Sequence, residues 1–225
     1  MLIHQIYWDF TKKDIEINDS KYFPSVEKTR QYAIENDITY KLWTYENCDD
    51  LVKNEFQTYI PLWNSFRYDI QRVDFIRYCI LYSRGGIYID CDIYPIKDIN
   101  HLFNKDYFFV KRVEKGSKSF PYNAVIGSHP FQEIFKKILV EIEQSTFTKQ
   151  QMPIYDKWKG RLVFQTTGQY MLKRVLKKDK NILGGLLNIY NEKKKINIIN
   201  ETALFQDSNV SVWYEDMMSN NIPNN

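Results

Sequence analysis

Apolar and polar positions along the 225-residue chain change period several times, and each change marks an element. Leu2 to Tyr7 is short, apolar and rich in β-formers, and predicts a first strand. Ser25 to Asn36 has helical spacing behind Pro24, a start signal. Thr39 to Tyr45 alternates and predicts a second strand, Asp49 to Phe56 predicts a short helix, and Pro61 to Arg67 is irregular and aromatic. Tyr68 to Ser83 then carries Ile70, Val73, Ile76, Ile80 and Leu81 at helical spacing. Gly85 and Gly86 follow, as a helix end leading straight into a strand requires. Ile87 to Ile93 alternates as that strand.

Farther on, Tyr107 to Val113 and Ala124 to Gly127 predict strands around a polar loop, Glu114 to Phe120. Pro130 to Gln144 and Gly168 to Lys178 predict helices, and Ile196 to Phe205 leans to β. The Asn-rich tail 219–225 is expected to fray. Strand, helix, strand in that order implies an α/β fold with a mainly parallel sheet. No internal repeat and no linker divides the chain, so one domain is expected.

Composition changes this picture little. Hydrophobic residues make up 44% and charged residues 26%, which is ordinary for a globular protein. The net charge of +3 suits an anionic small ligand and falls far short of a nucleic-acid footprint. Lys177-Lys178 and Lys193-Lys194-Lys195 read as solvated surface, with a phosphate or peripheral membrane contact as the alternative. Cys48, Cys79 and Cys91 lack C-x-x-C spacing, so buried free thiols in a reducing compartment are expected. Met1 to Phe10 has no signal-peptide pattern, and no apolar run approaches the ~20 residues of a membrane span. The expected location is cytoplasmic.

Candidate chemistry gathers at Gly85-Gly86-Ile87-Tyr88-Ile89-Asp90-Cys91-Asp92-Ile93. If that segment is one strand, Ile87, Ile89, Cys91 and Ile93 share a face, and Tyr88, Asp90 and Asp92 share the other. An acidic face must meet water, a cation or a partner, because unpaired buried carboxylates are too costly. Two carboxylates at a strand end suit Mg²⁺ or Mn²⁺, with phosphate and water completing the shell. Such a metal would neutralise a diphosphate leaving group. On the preceding helix, Asp74 and Arg77 lie three apart on one face, beside the apolar stripe. They read either as sugar-orienting groups or as a structural ion pair.

Arg72-Val73-Asp74-Phe75-Ile76-Arg77-Tyr78-Cys79-Ile80-Leu81-Tyr82, followed by Gly85 to Asp92, closely resembles the signature of glycosyltransferases with a D-x-D sugar-binding region. That group includes glycosyltransferase family 32 (the initiating α-1,6-mannosyltransferase type and many capsule enzymes) and, more distantly, the clostridial glucosylating toxins. Weaker matches flank it. Ile3-His4-Gln5-Ile6 resembles the family's opening strand, where an aromatic stacks near the base; Tyr7 stands where Trp is usual, and Trp8 comes one later. Asn123 to Gly127 with His129-Pro130, and Thr166-Thr167-Gly168-Gln169, resemble later segments. Asp207 to Trp213 resembles the donor-closing segment, with Ser211 and Trp213 in its Ser-x-Trp pattern and Asp207 as a further metal ligand.

The resemblance implies a GT-A, Rossmann-like fold in one domain. Residues 1–95 would bind the nucleotide-sugar, and residues 96–218 would form the acceptor side and the donor-closing segment. It also implies retaining transfer from a UDP-sugar or GDP-mannose, with Mn²⁺ or Mg²⁺, to a carbohydrate, glycolipid or glycoprotein acceptor. Asp90 and Asp92 would meet the metal. Asp74 and Arg77 would orient the sugar with support from Tyr88, and His4, Tyr7, Trp8, Ser211 and Trp213 would surround the nucleotide. The competing readings are a haloacid-dehalogenase-type phosphatase, which also uses a strand-borne D-x-D, and a non-catalytic sugar-binding module. His101 reads as surface, His129 as a cap or acceptor-cleft residue, and Trp43, Trp63 and Trp158 as packing.

Overall fold

The computed structural model describes residues 1–10, 17–112, 120–157, 159–177, 187–191 and 204–208. The expectations for 113–119, 196–203, 219–225, Trp158, Ser211 and Trp213 lie outside the described residues.

The opening half forms β1 (Leu2–Ile6), α1 (Phe23–Glu35), β2 (Thr39–Trp43), α2 (Tyr45–Glu55), α3 (Ile60–Ser65), α4 (Asp69–Arg84), β3 (Gly86–Ile89) and β4 (Ile93–Pro95). After them come β5 (Tyr107–Arg112), β6 (Phe120–Ser128), α5 (Glu133–Lys149), α6 (Ile154–Lys157), α7 (Lys159–Thr166), α8 (Gln169–Lys177), β7 (Leu187–Asn191) and β8 (Phe205–Asp207). Among the described residues, eight strands form one sheet in the order β2-β1-β3-β6-β5-β7-β8-β4. β1 is parallel to β2 and β3, and β7 is parallel to β5 and β8. β6 and β4 run against their neighbours. The expected mixed, mainly parallel sheet is therefore present, with helices on both faces.

Alternation assigns the two faces. Ile3, Ile87, Ile89, Phe108 and Val110 pack with Ala33 and Ile38 on the α1 side. Ile6, Tyr88, Phe109 and Ile126 meet α2 to α5 and α8 on the other. Helix α4 departs from a simple amphipathic stripe: every residue from Val73 to Leu81 is buried. A helix enclosed on all sides belongs to the interior. Each fully buried Phe, Ile or Leu there contributes about 1.5–3 kcal/mol. Asp74 and Arg77 are thus core residues.

Several local expectations change. Thr44 caps α2 in a capping box with Asn47, so β2 ends at Trp43 and the helix begins at Tyr45. The segment expected to be irregular contains α3, with a proline in its first turn. Helix α5 begins at Glu133 and runs to Lys149, β6 is longer than expected, and α6, α7 and β7 are additional. The most consequential change is the predicted strand Ile87–Ile93, which breaks in two. The ladder ends where Asp90 N–H donates to Ala124 O (2.8 Å), and Ile93 N–H then returns to Asp90 O (3.0 Å). That i to i+3 bond is a β-turn with Cys91 and Asp92 at its centre. The turn sends β4 away from β3 to pair with β8.

The helix-to-strand junction needs its glycines. Gly85 has φ 66° and Gly86 has φ 88°. A Cβ on Gly86 would lie 2.4 Å from Leu2 O and 3.0 Å from His4 Nε2. Left-handed strain and this clash add, so Gly86→Ala is expected to cost about 3 kcal/mol or more in chemical denaturation; an unchanged midpoint would contradict this packing. Among the described residues, no helix is long and apolar enough to cross a membrane.

Candidate active site

Helix α4 runs back along β3, so its middle turns lie beside the carboxyl end of that strand, where ligands gather in α/β sheets. Arg77 fills this junction. Its Nη1 donates to Asn123 O at 2.6 Å and lies 3.1 Å from Asp90 Oδ1, while Nη2 lies 3.0 Å from Asp74 Oδ1. Its Nε points back to Val73 O at 3.3 Å, and the guanidinium sits 4.6 Å from the centre of the Tyr88 ring. Asp74 is equally committed: Oδ1 also accepts from Asn123 Nδ2 (2.9 Å), and Oδ2 accepts from Thr167 Oγ1 (2.9 Å). Tyr88 OH donates to Asp90 Oδ1 at 2.6 Å.

Exposure sorts these groups. The Arg77 and Asp74 side chains are 2% and 7% exposed, whereas Asp90 is 26% exposed. Asp90 is the open end of a buried ionic network, in which Arg77 and Tyr88 hold it from beneath and Asp74 braces Arg77. The resemblance implies direct sugar contacts for Asp74 and Arg77; in this structure both are closed in by protein partners, and Arg77 reaches Asp90. Burial pushes the Asp90 and Asp74 carboxyls above their usual range, against the pull of Arg77. For Arg77 burial works against the charge, but Asp90, Tyr88 and Asp74 outweigh it and raise its pKa.

The turn that carries Asp92 is pinned from two sides. Gln5 Nε2 donates to Asp90 O (3.1 Å) while Gln5 Oε1 accepts from Tyr40 OH (2.8 Å), and Cys91 Sγ donates to Ile6 O (3.1 Å). From the other side Ser208 donates twice to Asp92 O, through N–H (2.8 Å) and Oγ (2.7 Å). Ser25 on α1 lies 3.0 Å from Ser208 Oγ. The acidic pair therefore does not share a strand face as expected, because the turn separates it. Asp207 is buried in β8 and sits opposite Ile93. Ser208, the next residue, is the one that bonds the Asp92 carbonyl.

β1 separates the two candidate stacking rings. Trp8 is 3% exposed and packs on Phe10 and Tyr45, and its Nε1–H has no acceptor among the described residues. Tyr7 is half-buried at the strand's carboxyl end, 6.1 Å from the Tyr22 ring. Tyr7 is the more exposed of the two rings.

His4 is a structural residue. It is fully buried, with Nε2 2.8 Å from Gly85 O and Nδ1 accepting from Trp43 Nε1 (3.1 Å). This fixes the neutral Nε2–H tautomer and leaves no ring nitrogen for a ligand. Burial pushes its pKa down to about 4. A depressed pKa contributes stability that is present above the unfolded value of 6.5 and lost as pH falls toward 4. Acidification across that window is expected to remove about 3 kcal/mol. Urea midpoints from pH 7.5 to 4.5 check this, and a flat profile would argue against the neutral buried ring.

His129 lies at the far end of β3, lining a separate cleft of about 320 Å³ with Arg84, Gly86 and Lys105. It is therefore not beside Asp90. His101 is exposed, and Trp43 and Trp63 are packing residues. All three cysteines are buried free thiols. Gln5, Asn123, Thr167 and Ser208 were not among the candidate site residues. All four lie in the segments that carry the weaker matches, which is the signal that could have found them.

A divalent cation fits the donor set in a limited way. No cluster of three His, Cys, Asp or Glu exists among the described residues. Hard cations need only one or two protein carboxylates when a diphosphate supplies the rest. Asp92 on its pinned turn, with Asp90 two residues before it, meets that need.

Comparison with known proteins agrees with the geometry. Residues 12–109 match the family described as glycosyltransferase sugar-binding region containing DXD motif. The chain is 34% identical over 102 residues to inositol phosphoceramide mannosyltransferase 1 of Schizosaccharomyces pombe, covering 45% of this chain and 32% of that protein. It is 30% identical over 159 residues to an uncharacterized glycosyltransferase, L373, of Acanthamoeba polyphaga mimivirus, covering 66% and 61%. The chain thus spans only about a third of the fission-yeast relative's length. The solved structure of the PaToxG glycosyltransferase superposes with a TM-score of 0.53 at 17% identity, over 80% of this chain and 69% of that one, and shares the fold.

Proposed function

We propose that the chain is the catalytic domain of a retaining, metal-dependent glycosyltransferase that moves a hexose from a nucleotide-sugar to a hydroxyl acceptor. The observation that carries this reading is the part-exposed Asp90, held by buried Arg77 and Tyr88 beside the turn at whose centre Asp92 lies. A phosphatase nucleophile needs no such clamp on its first acid, whereas a donor-site acid needs a fixed position and a fixed charge.

In this account Asp92 meets the cation directly, and Asp90 reaches it through water or contacts the ribose or sugar. The bound Mn²⁺ or Mg²⁺ would neutralise the diphosphate leaving group. Arg77 keeps Asp90 ionised and oriented, and Tyr88 fixes its rotamer. Tyr7 stacks on the base. The acceptor oxygen bonds to the anomeric carbon as the bond to the phosphate oxygen breaks, and that phosphate oxygen takes the acceptor's proton on the same face. The mannosyltransferase names among the relatives favour GDP-mannose over a UDP-sugar, and a glycolipid acceptor.

Turnover tests the reading. The protein is incubated with a panel of UDP- and GDP-sugars, with Mn²⁺ and with EDTA, and separately with p-nitrophenyl phosphate. Metal-dependent release of a nucleoside diphosphate from one donor is the expected result. Cleavage of the phosphate ester alone would replace it with a phosphatase, and no turnover by folded protein would leave a binding module.

A further inference from the structure

The connection from α5 to α7 presents three consecutive apolar residues, Met152, Pro153 and Ile154, to solvent. Met152 is 47% and Ile154 56% exposed, and Phe147 near the end of α5 is 40% exposed. Contiguous exposed apolar side chains are selected against in a soluble surface unless something covers them. They are also held in place. Met152 N–H donates to Lys149 O (2.9 Å) and Tyr155 N–H to Met152 O (3.0 Å). Tyr155 itself is buried against Tyr68, Leu162 and Val163.

Charge identifies the covering partner. Between residues 148 and 161 stand Lys149, Lys157, Lys159 and Arg161, against one acid, Asp156. That acid is bound by Arg67 at 2.7 Å, and Lys157 and Arg161 are exposed. A small apolar wedge ringed by cations matches an anionic lipid interface, where apolar tips enter the headgroup boundary and Lys and Arg meet phosphates. It is a poor match to a second protein, whose stable interface takes about 20–30 residues a side. Tyr68, against which Tyr155 packs, caps the first turn of α4, so the patch stands at the amino-terminal end of α4, the half of the helix that carries Asp74 and leads to Arg77.

We propose that Phe147, Met152, Ile154, Lys157 and Arg161 form a docking surface for an anionic bilayer, with Met152 and Ile154 entering it and Lys157 and Arg161 binding its headgroups. Docking there would bring the Asp90 end of the molecule to the membrane. The proposal needs no turnover and stands apart from the transferase reading.

The test is flotation of the full chain with phosphatidylcholine vesicles and with phosphatidylcholine vesicles containing phosphatidylserine. Binding to the anionic vesicles alone, weakened by salt, is expected. Lys157→Gln and Arg161→Gln should each lower the partition coefficient about fivefold. Met152→Ser with Ile154→Ser should lower it about tenfold or more. All of these variants should keep the wild-type melting temperature. No binding by wild type, or binding that the variants leave unchanged, would overturn the proposal. So would self-association of the lipid-free chain that Met152→Ser with Ile154→Ser abolishes, which would assign the patch to a second copy.

Discussion

Replacing Arg77 by methionine is expected to cost about 3–5 kcal/mol of folding stability, since it leaves carboxylates buried without their cation. Methionine can fill the aliphatic part of the space, so the loss reports charge more than volume. Asp74 would keep Asn123 and Thr167, and Asp90 would keep Tyr88. The variant has a pH signature. Removing Arg77 raises both carboxyl pKa values further above their unfolded values. A raised folded pKa contributes stability below the unfolded value and loses it as pH rises through the folded one. The deficit against wild type is therefore largest at pH 8 and narrows as pH falls toward 5, while the His4 effect cancels because both proteins share it. Urea denaturation of the pair at the two pH values checks this. A constant gap would mean that Arg77 contributes packing alone.

Asp92→Asn is expected to behave in the opposite way. The change is isosteric, and the backbone carbonyl that Ser208 holds is untouched. Asp92 is buried, so stability should change by about 1–2 kcal/mol at most, well short of the Arg77 loss. Turnover should fall by about 10²–10³-fold or more, because the donor-site cation loses its direct carboxylate. Steady-state kinetics beside a melting curve make the comparison. Together the two variants separate a group that builds the site from one that meets the ligand.

Much of this was legible in the sequence, and the parts that were not share a cause. β1, α1, α4 and the Gly85-Gly86 junction follow from local periodicity and from glycine's access to positive φ. The grouping of Asp74, Arg77, Tyr88 and Asp90 followed from spacing and resemblance. The sequence could not show that Asp74 is saturated, because its partners Asn123 and Thr167 lie 49 and 93 residues away. Nor could it place the break at Asp90–Asp92. Alternation continues through Ile93, and the turn is chosen by partners remote in sequence: Gln5 on one side, and Ser208 with β8 on the other. The choice between Tyr7 and Trp8 depended on strand parity, which puts Trp8 on the core face with Ile6. The stretch from 150 to 166 has no clear period of its own, and α6 and α7 form because Tyr155, Leu162 and Val163 find Tyr68.

The central claim is that the Asp90–Asp92 turn binds a nucleotide-sugar through a divalent cation. Its most direct test is the thermal shift of wild type and of Asp92→Asn with UDP, GDP and their sugars, each with Mn²⁺ and with EDTA. At a hundredfold excess over Kd a ligand adds about 2.7 kcal/mol, which a melting curve resolves easily. The account predicts stabilisation of wild type by one nucleotide class with Mn²⁺, its loss in EDTA, and no metal-dependent shift in Asp92→Asn. Equal stabilisation of both proteins, with or without the metal, would contradict it and make the acidic turn a structural feature of the fold.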